Sequence, residues 1–347
     1  MYDRIAMSFA AGAGVPDLAV IHAERIRDFV RQDMIMPLDD LLSDFPRLSA
    51  PYYLPQAWDI GAVDGVRYAI PLDVHTWVMF YNLDLLEYYG VAHVLDDRIV
   101  TIDEIHYVGG VLAARGSERA TVGMTWPWVN WSGLYTSLGG RITADGINPT
   151  IYNDLAVQAF EIMRGFVTAG ISNPHGVSAS TMWQTEELIF IPEGIWYLNI
   201  ANTVEDFRWG VTHNYQIDAN NPINWTSSHQ FVMFRSDERS EDMARGILHY
   251  LEWTQENSLH WARAGQNPAA LAILESPEFQ EMPQSFLLTT DVGQQSMFLM
   301  EYLFNGFVSA EVNRVGDDIQ FSDLDIREEL RVAQQIVEDQ IAHALGN

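Results

Sequence analysis

The residues from Asp64 to Val91 constrain the fold of this chain more than any other stretch, and they read DGVRYAIPLDVHTWVMFYNLDLLEYYGV. Apolar and β-branched residues over 67–72 and 77–81 predict two buried strands. Residues 83–89 have the spacing of a short helix, and Gly90 after them tolerates the positive φ that commonly ends a helix. Two strands and a helix in direct succession predict a mixed α/β fold.

The connection between the two predicted strands carries three side chains that suit ligand binding. Asp73 offers a carboxylate, His75 an imidazole and Trp77 a large ring. A carboxylate and an imidazole hydrogen-bond polar groups, while an indole packs on apolar surfaces and donates through its N–H. We therefore expect these three residues to contact a ligand.

The two motifs that flank this connection resemble a known pattern. DGVRYAIP and FYNLDLLEYYG are similar to DGKxYAVP and YYNKDLxxxxG, with Leu83 where Lys is usual. That pair is typical of extracellular solute-binding proteins of the sugar-binding family, the maltose-binding-protein-like receptors of ABC importers. In this family the segment between the motifs touches sugar, which agrees with the choice of Asp73, His75 and Trp77.

Four further segments follow the order of the same family, so the resemblance covers nearly the whole chain. One of them, AGAGVPDL at 11–18, resembles AAGxGPDV, and another, WARAGQNPAA at 261–270, resembles the family's WaxxGxlPA. The resemblance implies an α/β, two-lobed periplasmic-binding-protein-like fold (type II), with a hinge between the lobes and ligand in the cleft.

The expected lobe boundaries follow from the two crossings that the resemblance implies. Lobe one is expected over 1–81 and 229–285, and lobe two over 82–228 and 286–347. Relatives begin with a strand, a helix and a second strand before the point where this chain starts. We therefore expect that an N-terminal segment is absent, and with it any signal peptide or lipid-attachment cysteine.

Glu24 and Arg25 follow a predicted strand at 18–21, where ligands commonly bind at the carboxyl end. In maltose-binding relatives a carboxylate and an arginine on this loop bond sugar hydroxyls, and the resemblance places these two residues there. The alternative is a solvated first turn of a helix, in which Glu24 favours the helix dipole.

Three indoles lie within the hexapeptide WPWVNW, at Trp126, Trp128 and Trp131. Three such rings around a proline in a predicted loop are unusual for a core, and indoles suit the apolar faces of pyranose sugars. We expect Trp126 or Trp128 to stack on ligand and another of the three to be structural. Trp196, in a match to the family's GxW, either stacks on sugar or packs in the core.

The segment NWTSSHQF resembles the family's second crossing between the lobes. Trp225 and His229 in this segment are further candidates for ligand contact. The alternative for His229 is a buried imidazole whose hydrogen bonds are satisfied within the protein.

Composition excludes several classes of protein. The chain has 347 residues, enough for two domains, and no cysteine, which excludes disulfides, thiolate metal sites and cysteine nucleophiles. All 19 basic residues are arginine, and 47 acidic residues give a formal charge of −28. Such a chain should be repelled by nucleic acid and anionic lipid. Adaptation to high salt and a compositional bias explain this acidity equally well.

Neither a metal nor a cofactor is expected. The ten histidines are scattered along the sequence without an HExxH-like spacing. The sequence also lacks a glycine-rich phosphate loop.

The predicted function is capture of a carbohydrate, expected to be an oligosaccharide, by a monomeric extracellular or periplasmic receptor. The receptor would deliver its ligand to the permease subunits of an ABC transporter, and a lipoprotein anchor would lie in the absent segment. One alternative is a non-sugar solute such as a polyol phosphate or a peptide, although only Arg25 stands out as an anion contact. A hydrolase would need two carboxylates roughly 5–10 Å apart, for which the sequence has no spacing signature.

Overall fold

The computed structural model describes residues 2–12 and 14–346. It contains both strands and helices, as expected of an α/β fold. The strands are β1 (Leu18–His22), β2 (Ala62–Val63), β3 (Val66–Arg67), β4 (Ala69–Pro71), β5 (Asp73–Asn82), β6 (Ala120–Val122), β7 (Leu188–Gly194), β8 (Trp209–His213), β9 (Asn224–Ser227), β10 (His229–Met233), β11 (Asn267–Pro268) and β12 (Met297–Leu299).

The α-helices are α1 (Tyr2–Ala10), α2 (Ile26–Arg31), α3 (Asp39–Leu42), α4 (Pro55–Asp59), α5 (Leu83–Tyr89), α6 (Ile102–Ala114), α7 (Pro127–Ser137), α8 (Asp154–Thr168), α9 (Ala179–Gln184), α10 (Leu198–Ala201), α11 (Glu241–Asn257), α12 (Leu259–Arg263), α13 (Leu271–Leu274), α14 (Pro277–Gln280), α15 (Phe286–Thr289), α16 (Asp291–Ser296), α17 (Asn305–Phe321) and α18 (Ile326–Ala344). Short 3₁₀ helices cover Ala23–Arg25, Ala50–Tyr52, Ala92–Leu95 and Ile195–Tyr197. The described residues contain no helix that is both long and apolar enough to cross a membrane.

The chain divides into two compact units. The first unit comprises the described residues up to His75, with 227–285 and 299–303, and the second comprises the rest. The first two unit boundaries therefore lie at 75/76 and 226/227, whereas the expected lobe boundaries were 81/82 and 228/229. The boundary at 285/286 lies where it was expected. The segment 299–303, expected in lobe two, belongs to the first unit.

A three-stranded antiparallel sheet in the order β1-β10-β4 lies at the centre of the first unit. The register of β1 and β10 places His22 directly opposite His229. Apolar side chains of this sheet and of α2, including Ile21, Phe29 and Val232, are buried in a common core. The sheet therefore has a packed apolar layer, while its strand ends carry polar residues.

In the second unit, β5 lies between β7 and β8 and pairs with both in antiparallel orientation, and β6 runs parallel to β7. Every residue of β7 is buried, as are almost all residues of β5, which is typical of central strands covered on both faces. Helices α7, α8 and α17 pack against one another, and α18 packs on α17.

Several predicted elements are present as expected. Gly90 has φ 71° at the end of α5. The sequence TIDE at 101–104 predicts a capping box, and Thr101 and Glu104 form it at the start of α6. Asn153, which the sequence predicts as a helix cap, accepts a hydrogen bond from the backbone N–H of Ala156 at the start of α8. These helix ends depend on local side-chain chemistry, which is why the sequence alone predicts them.

Other elements differ from the prediction. The connection at 73–77 is part of the continuous strand β5, because Asp73 and Val74 pair with Pro268 and Asn267. The sequence at 122–126 favours a strand, but this segment contains only the last residue of β6. A helix is favoured at 24–32, and there the chain begins with a 3₁₀ turn before α2.

The WPWVNW hexapeptide, predicted as a loop, continues from Trp126 into helix α7, where Pro127 occupies the first helical position. The sequence at 294–304 favours a helix, but this prediction is wrong, since α16 ends at Ser296 and β12 follows. Helix α17 was missed because its buried face includes the polar residues Asn305, Glu311 and Gln320, which obscure the apolar periodicity.

Candidate functional site

Three neighbouring strands of the first unit bring a group of histidines together. His22 ends β1 and lies opposite His229, the first residue of β10. The backbone N–H of Leu72 donates to the carbonyl of His229 at 2.9 Å, so the start of β5 lies beside β10. Asp73 and His75 lie two residues apart on β5, so their side chains project from the same side of the strand. We call His22, His75 and His229 the histidine cluster.

The carboxylate of Asp73 is fully buried and holds two of the imidazoles. Its oxygens lie 2.8 Å from Nδ1 of His229 and 3.2 Å from Nδ1 of His75. They also accept hydrogen bonds from the indole N–H of Trp261 at 2.7 Å and from the backbone N–H of His229 at 2.9 Å. Because all of this carboxylate is buried and hydrogen-bonded, the expectation that Asp73 contacts ligand directly is revised: Asp73 orients His75 and His229.

The charges around Asp73 agree with this role. Burial alone would raise the pKa of the Asp73 carboxyl, but hydrogen bonds with His229 and His75 outweigh burial and hold this pKa below its usual range. Burial also acts to lower the pKa of His229, yet the hydrogen bond with Asp73 raises it overall. The carboxylate is therefore ionised, and each of its two oxygens contacts one imidazole.

His22 completes the cluster from β1. Its ring centre lies 4.8 Å from that of His229 and 5.5 Å from that of His75, and the latter two centres are 4.3 Å apart. Nδ1 of His22 lies 2.5 Å from the hydroxyl oxygen of Tyr2. Burial lowers the pKa of His22 to about 4, so its ring is neutral near pH 7. No role was predicted for His22, although its place at the end of a predicted strand was a usable signal.

One nitrogen of each ring in the cluster lies within 4.8 Å of a nitrogen of each of the others. We expected no metal site, because the ten histidines are scattered along the sequence. The fold corrects this inference, because strand pairing brings three of the histidines together. Imidazole nitrogens at this spacing are donors of the type that bind Zn²⁺.

Glu24 and Arg25 lie in the 3₁₀ turn that follows β1, and both are partly buried. The Glu24 carboxylate accepts a hydrogen bond from the Ser227 hydroxyl at 2.6 Å. The Arg25 guanidinium lies over the ring of Tyr2, 4.9 Å from its centre. Both side chains keep exposed surface, so their contact with ligand stays a prediction.

The second unit contains a cluster of three indoles, Trp77, Trp126 and Trp196, which we call the indole cluster. Their ring centres are 6.0–6.3 Å apart in edge-to-face or tilted arrangements. Trp77 is buried, whereas Trp126 is 50% exposed and Trp196 is partly exposed. The cluster thus joins a buried ring to two rings that offer apolar surface to solvent.

Trp126 is held in an unusual backbone conformation. Its φ of 38° lies in the left-handed region, which bulky residues rarely adopt. The N–H of its indole donates to both oxygens of the Glu193 carboxylate, at 3.1 and 3.2 Å. This hydrogen bond holds the exposed ring in place and helps to stabilise the strained backbone conformation.

Glu193 is the buried acid of this region, and the sequence reading missed it. It lies on β7 opposite Val78. Burial raises its pKa to about 7, because the hydrogen bonds from Trp126 and from the backbone N–H of Gly194 offset only part of the desolvation. An acid within the apolar run LIFIPEGIW was a signal that could have identified it. Near neutral pH Glu193 can accept a hydrogen bond or, when protonated, donate one.

The GxW motif has a steric basis. A Cβ atom added at Gly194 would overlap the ring of Trp196, so only glycine lets the indole lie against this part of β7. The motif that the sequence identified therefore fixes the position of the Trp196 ring.

The other predicted tryptophans are buried. Trp128 is 5% exposed, Trp225 8%, and Trp131 is fully buried. Trp131 stacks on Tyr135 with ring centres 4.8 Å apart, and the Trp128 ring lies 5.9 Å from that of Trp131. Trp131 has the structural role expected of one indole in the hexapeptide. Ligand contact by Trp128 and Trp225 stays a prediction, since each has little exposed surface.

Asn130, a second residue that the sequence reading missed, supports Trp77 from α7. Its side-chain oxygen accepts hydrogen bonds from the indole N–H of Trp77 at 3.0 Å and from the Tyr215 hydroxyl at 3.1 Å. This buried network fixes the base of the indole cluster.

Comparison with known proteins identifies the family. Residues 1–209 match the family model described as bacterial extracellular solute-binding protein. The chain belongs to this family. The resemblance stated from the sequence motifs is thereby confirmed.

Curated relatives of this solute-binding protein include two arabinooligosaccharide-binding proteins. The one from Bacillus subtilis is 32% identical over 123 residues, covering 35% of this chain and 27% of that protein. The one from Halalkalibacterium halodurans is 20% identical over 296 residues, covering 81% of this chain and 64% of that protein. The chain thus spans less than two thirds of the length of these relatives.

Solved structures show the fold. The sugar-binding protein MalE from Xanthomonas citri matches with a TM-score of 0.81 at 16% identity, over 99% of this chain and 88% of that one. An ABC substrate-binding protein from Listeria monocytogenes in complex with cycloalternan matches with a TM-score of 0.75 at 15% identity, over 99% and 88%. The predicted fold class, α/β with the two-lobed solute-binding fold, is confirmed.

Proposed function

We propose that this solute-binding protein is the carbohydrate receptor of an ABC importer. It captures an oligosaccharide outside the cytoplasmic membrane and delivers it chemically unchanged to the permease subunits. The family match and the sugar-binding relatives support this function. The monomeric state and the lipid anchor stay predictions.

The indole cluster is the observation that carries the proposal. A half-exposed Trp126 and a partly exposed Trp196 offer apolar faces of the kind on which sugar C–H groups stack. Glu193 lies within hydrogen-bond distance of the Trp126 indole and can exchange hydrogen bonds with a sugar hydroxyl. Apolar surface beside a polar group with donor and acceptor capacity matches the alternating C–H and O–H surface of a sugar.

The first unit contributes polar side chains that are candidates for binding sugar hydroxyls. Glu24, Arg25, His75 and His229 are proposed to bind sugar hydroxyls, and Asp73 is proposed to orient the two histidines. Trp77 is proposed to support the stacking surfaces, because it is buried. Trp128 and Trp225 are proposed to contact the ligand through the small part of each ring that is exposed.

Thermal unfolding against a panel of carbohydrates tests this function. The protein, free of any polyhistidine tag, is heated with malto-oligosaccharides, arabino-oligosaccharides and monosaccharides, and each mixture is then examined for breakdown products. A ligand that binds only the folded state raises the unfolding midpoint in proportion to the logarithm of its concentration. We expect at least one oligosaccharide to raise the midpoint and to be recovered intact.

Other outcomes distinguish the alternatives. Polyol phosphates and peptides are tested in the same way. A rise of the midpoint with one of them, and with none of the carbohydrates, would replace the sugar by a non-sugar solute. Breakdown of the sugar, abolished by Glu193→Gln, would show that the protein is an enzyme instead.

A further inference from the structure

We propose that His22, His75 and His229 bind a divalent transition-metal ion, and that Zn²⁺ is the ion they suit. One nitrogen of each ring lies within 4.8 Å of a nitrogen of each of the others. This site lies wholly in the first unit. It uses the rings of His75 and His229, which are also proposed to bind sugar hydroxyls, so its test is made without carbohydrate.

The position of Asp73 is the strongest sign that these rings form a metal site. Metal-binding histidines usually donate their second ring N–H to a carboxylate, which fixes the ring and raises its basicity. Nδ1 of His229 and Nδ1 of His75 lie 2.8 and 3.2 Å from the two oxygens of Asp73. Coordination would therefore use Nε2 of both rings, on the side away from the carboxylate.

The carboxylate is itself held by further donors, as such a supporting group requires. The Trp261 indole N–H donates at 2.7 Å and the backbone N–H of His229 at 2.9 Å. Asp73 cannot turn away without breaking these bonds inside a fully buried environment. The negative charge of Asp73 would also offset part of the charge of a bound cation.

His22 is oriented in a comparable way. The Tyr2 hydroxyl lies 2.5 Å from Nδ1 of His22 and also accepts the backbone N–H of that residue at 3.0 Å. The strand register fixes His22 opposite His229. All three ligands are thus placed by strands rather than by loops, which gives a metal site its precision.

The spacing needs only side-chain movement to reach metal-binding geometry. Zn–N bonds of about 2.0–2.1 Å in a tetrahedral site put nitrogens roughly 3.3 Å apart. The nitrogens now lie within 4.8 Å of one another, so the three rings would have to move closer together on binding. Three histidines leave a fourth coordination position for water, the arrangement found in zinc sites that keep an open position.

Calorimetric titration with ZnCl₂ tests the site. The tag-free protein is first freed of metal with a chelator and then dialysed. We expect one Zn²⁺ per chain, and Co²⁺ in its place should give the visible absorption of a tetrahedral nitrogen site. His75→Ala should weaken Zn²⁺ binding by about 100-fold or more, and Asp73→Asn by about 10–100-fold.

His93→Ala is the matched control, because His93 is an exposed histidine outside the cluster. It should bind Zn²⁺ as the wild type does. Circular dichroism checks the folding of each variant, and His22→Ala, at a partly exposed ring, replaces His75→Ala if that variant does not fold.

Two results would overturn the proposal. One is the absence of Zn²⁺ binding by the folded wild type. The other is equal binding by His22→Ala, Asp73→Asn and His93→Ala, which would show that Zn²⁺ binds only to surface side chains.

Discussion

Two buried carboxylates, one in each unit, are set in opposite environments. Asp73 lies between two imidazoles and an indole N–H, and hydrogen bonds hold its pKa below the usual range despite burial. Glu193 has an indole and a backbone N–H as hydrogen-bond partners but no cation among them, and burial raises its pKa to about 7. The difference shows that neighbouring groups decide whether a buried acid is a fixed anion or a group that changes charge near neutrality.

The same contrast separates the two clusters. The histidine cluster is anchored by a permanent charge, so its geometry and the stability of the first unit should depend on Asp73. Burial of the Glu193 carboxyl beside the indole cluster costs folding free energy when this group is ionised, which is typical of functional sites. Predictions about the two carboxylates therefore test the comparison directly.

Removal of the Asp73 carboxylate should have the largest effect. Asp73→Ala leaves buried imidazole N–H groups without their acceptor, so the free energy of unfolding should fall by about 3–5 kcal/mol. Urea denaturation followed by circular dichroism measures this loss. Asp237→Ala, at an exposed acid in the same unit, should stay within about 0.5 kcal/mol of the wild type. A loss below about 1 kcal/mol in Asp73→Ala would show that the carboxylate does not anchor the cluster.

Glu193→Gln should instead raise the free energy of unfolding near neutral pH. Because the pKa of Glu193 is raised from 4.5 to about 7 in the folded state, wild-type stability is fully present below about pH 4.5 and falls as pH rises through about 7. Glutamine does not ionise, so the gain of the variant over the wild type should grow between about pH 4.5 and 7 and reach about 3 kcal/mol. Denaturation at several pH values measures the gain, with the exposed Glu187→Gln as control. A pH-independent difference would contradict the assigned environment.

Gly194→Ala should disturb the indole cluster with a smaller cost. The added methyl group overlaps the Trp196 ring, and its displacement should cost about 1–2 kcal/mol and weaken carbohydrate binding. Gly110→Ala is the control, since a Cβ there meets nothing within 4 Å in helix α6. That control should gain up to about 1 kcal/mol from helix propensity. Equal stability of the two variants would show that Trp196 does not depend on Gly194.

Local chemistry explains which parts of the fold the sequence predicted. The turn at Gly90, the capping box at Thr101 and the cap at Asn153 depend on residues adjacent in the chain. Helix α17 was not predictable in this way, because the polar residues Asn305, Glu311 and Gln320 on its buried face break the apolar periodicity.

The candidate site shows the same difference between features local in the chain, which were predictable, and features that depend on tertiary structure, which were not. The motifs identified Asp73, His75 and Trp126 as unusual, but not what each one does. His22 and His229 become neighbours through strand register, and Glu193 meets Trp126 across 67 positions of the sequence. Such pairings arise from tertiary structure, so a single sequence cannot show them.

The central claim is that the exposed indoles of the second unit bind carbohydrate. Isothermal titration of the wild type, Trp126→Ala and Tyr107→Ala with the best oligosaccharide of the panel tests it most directly. Tyr107 is 48% exposed and Trp126 is 50% exposed, so the two variants remove similarly accessible rings. We predict that Trp126→Ala loses about tenfold or more in affinity, from about 1–2 kcal/mol of lost stacking, while Tyr107→Ala binds as the wild type does. Unchanged affinity in a folded Trp126→Ala protein would contradict the account.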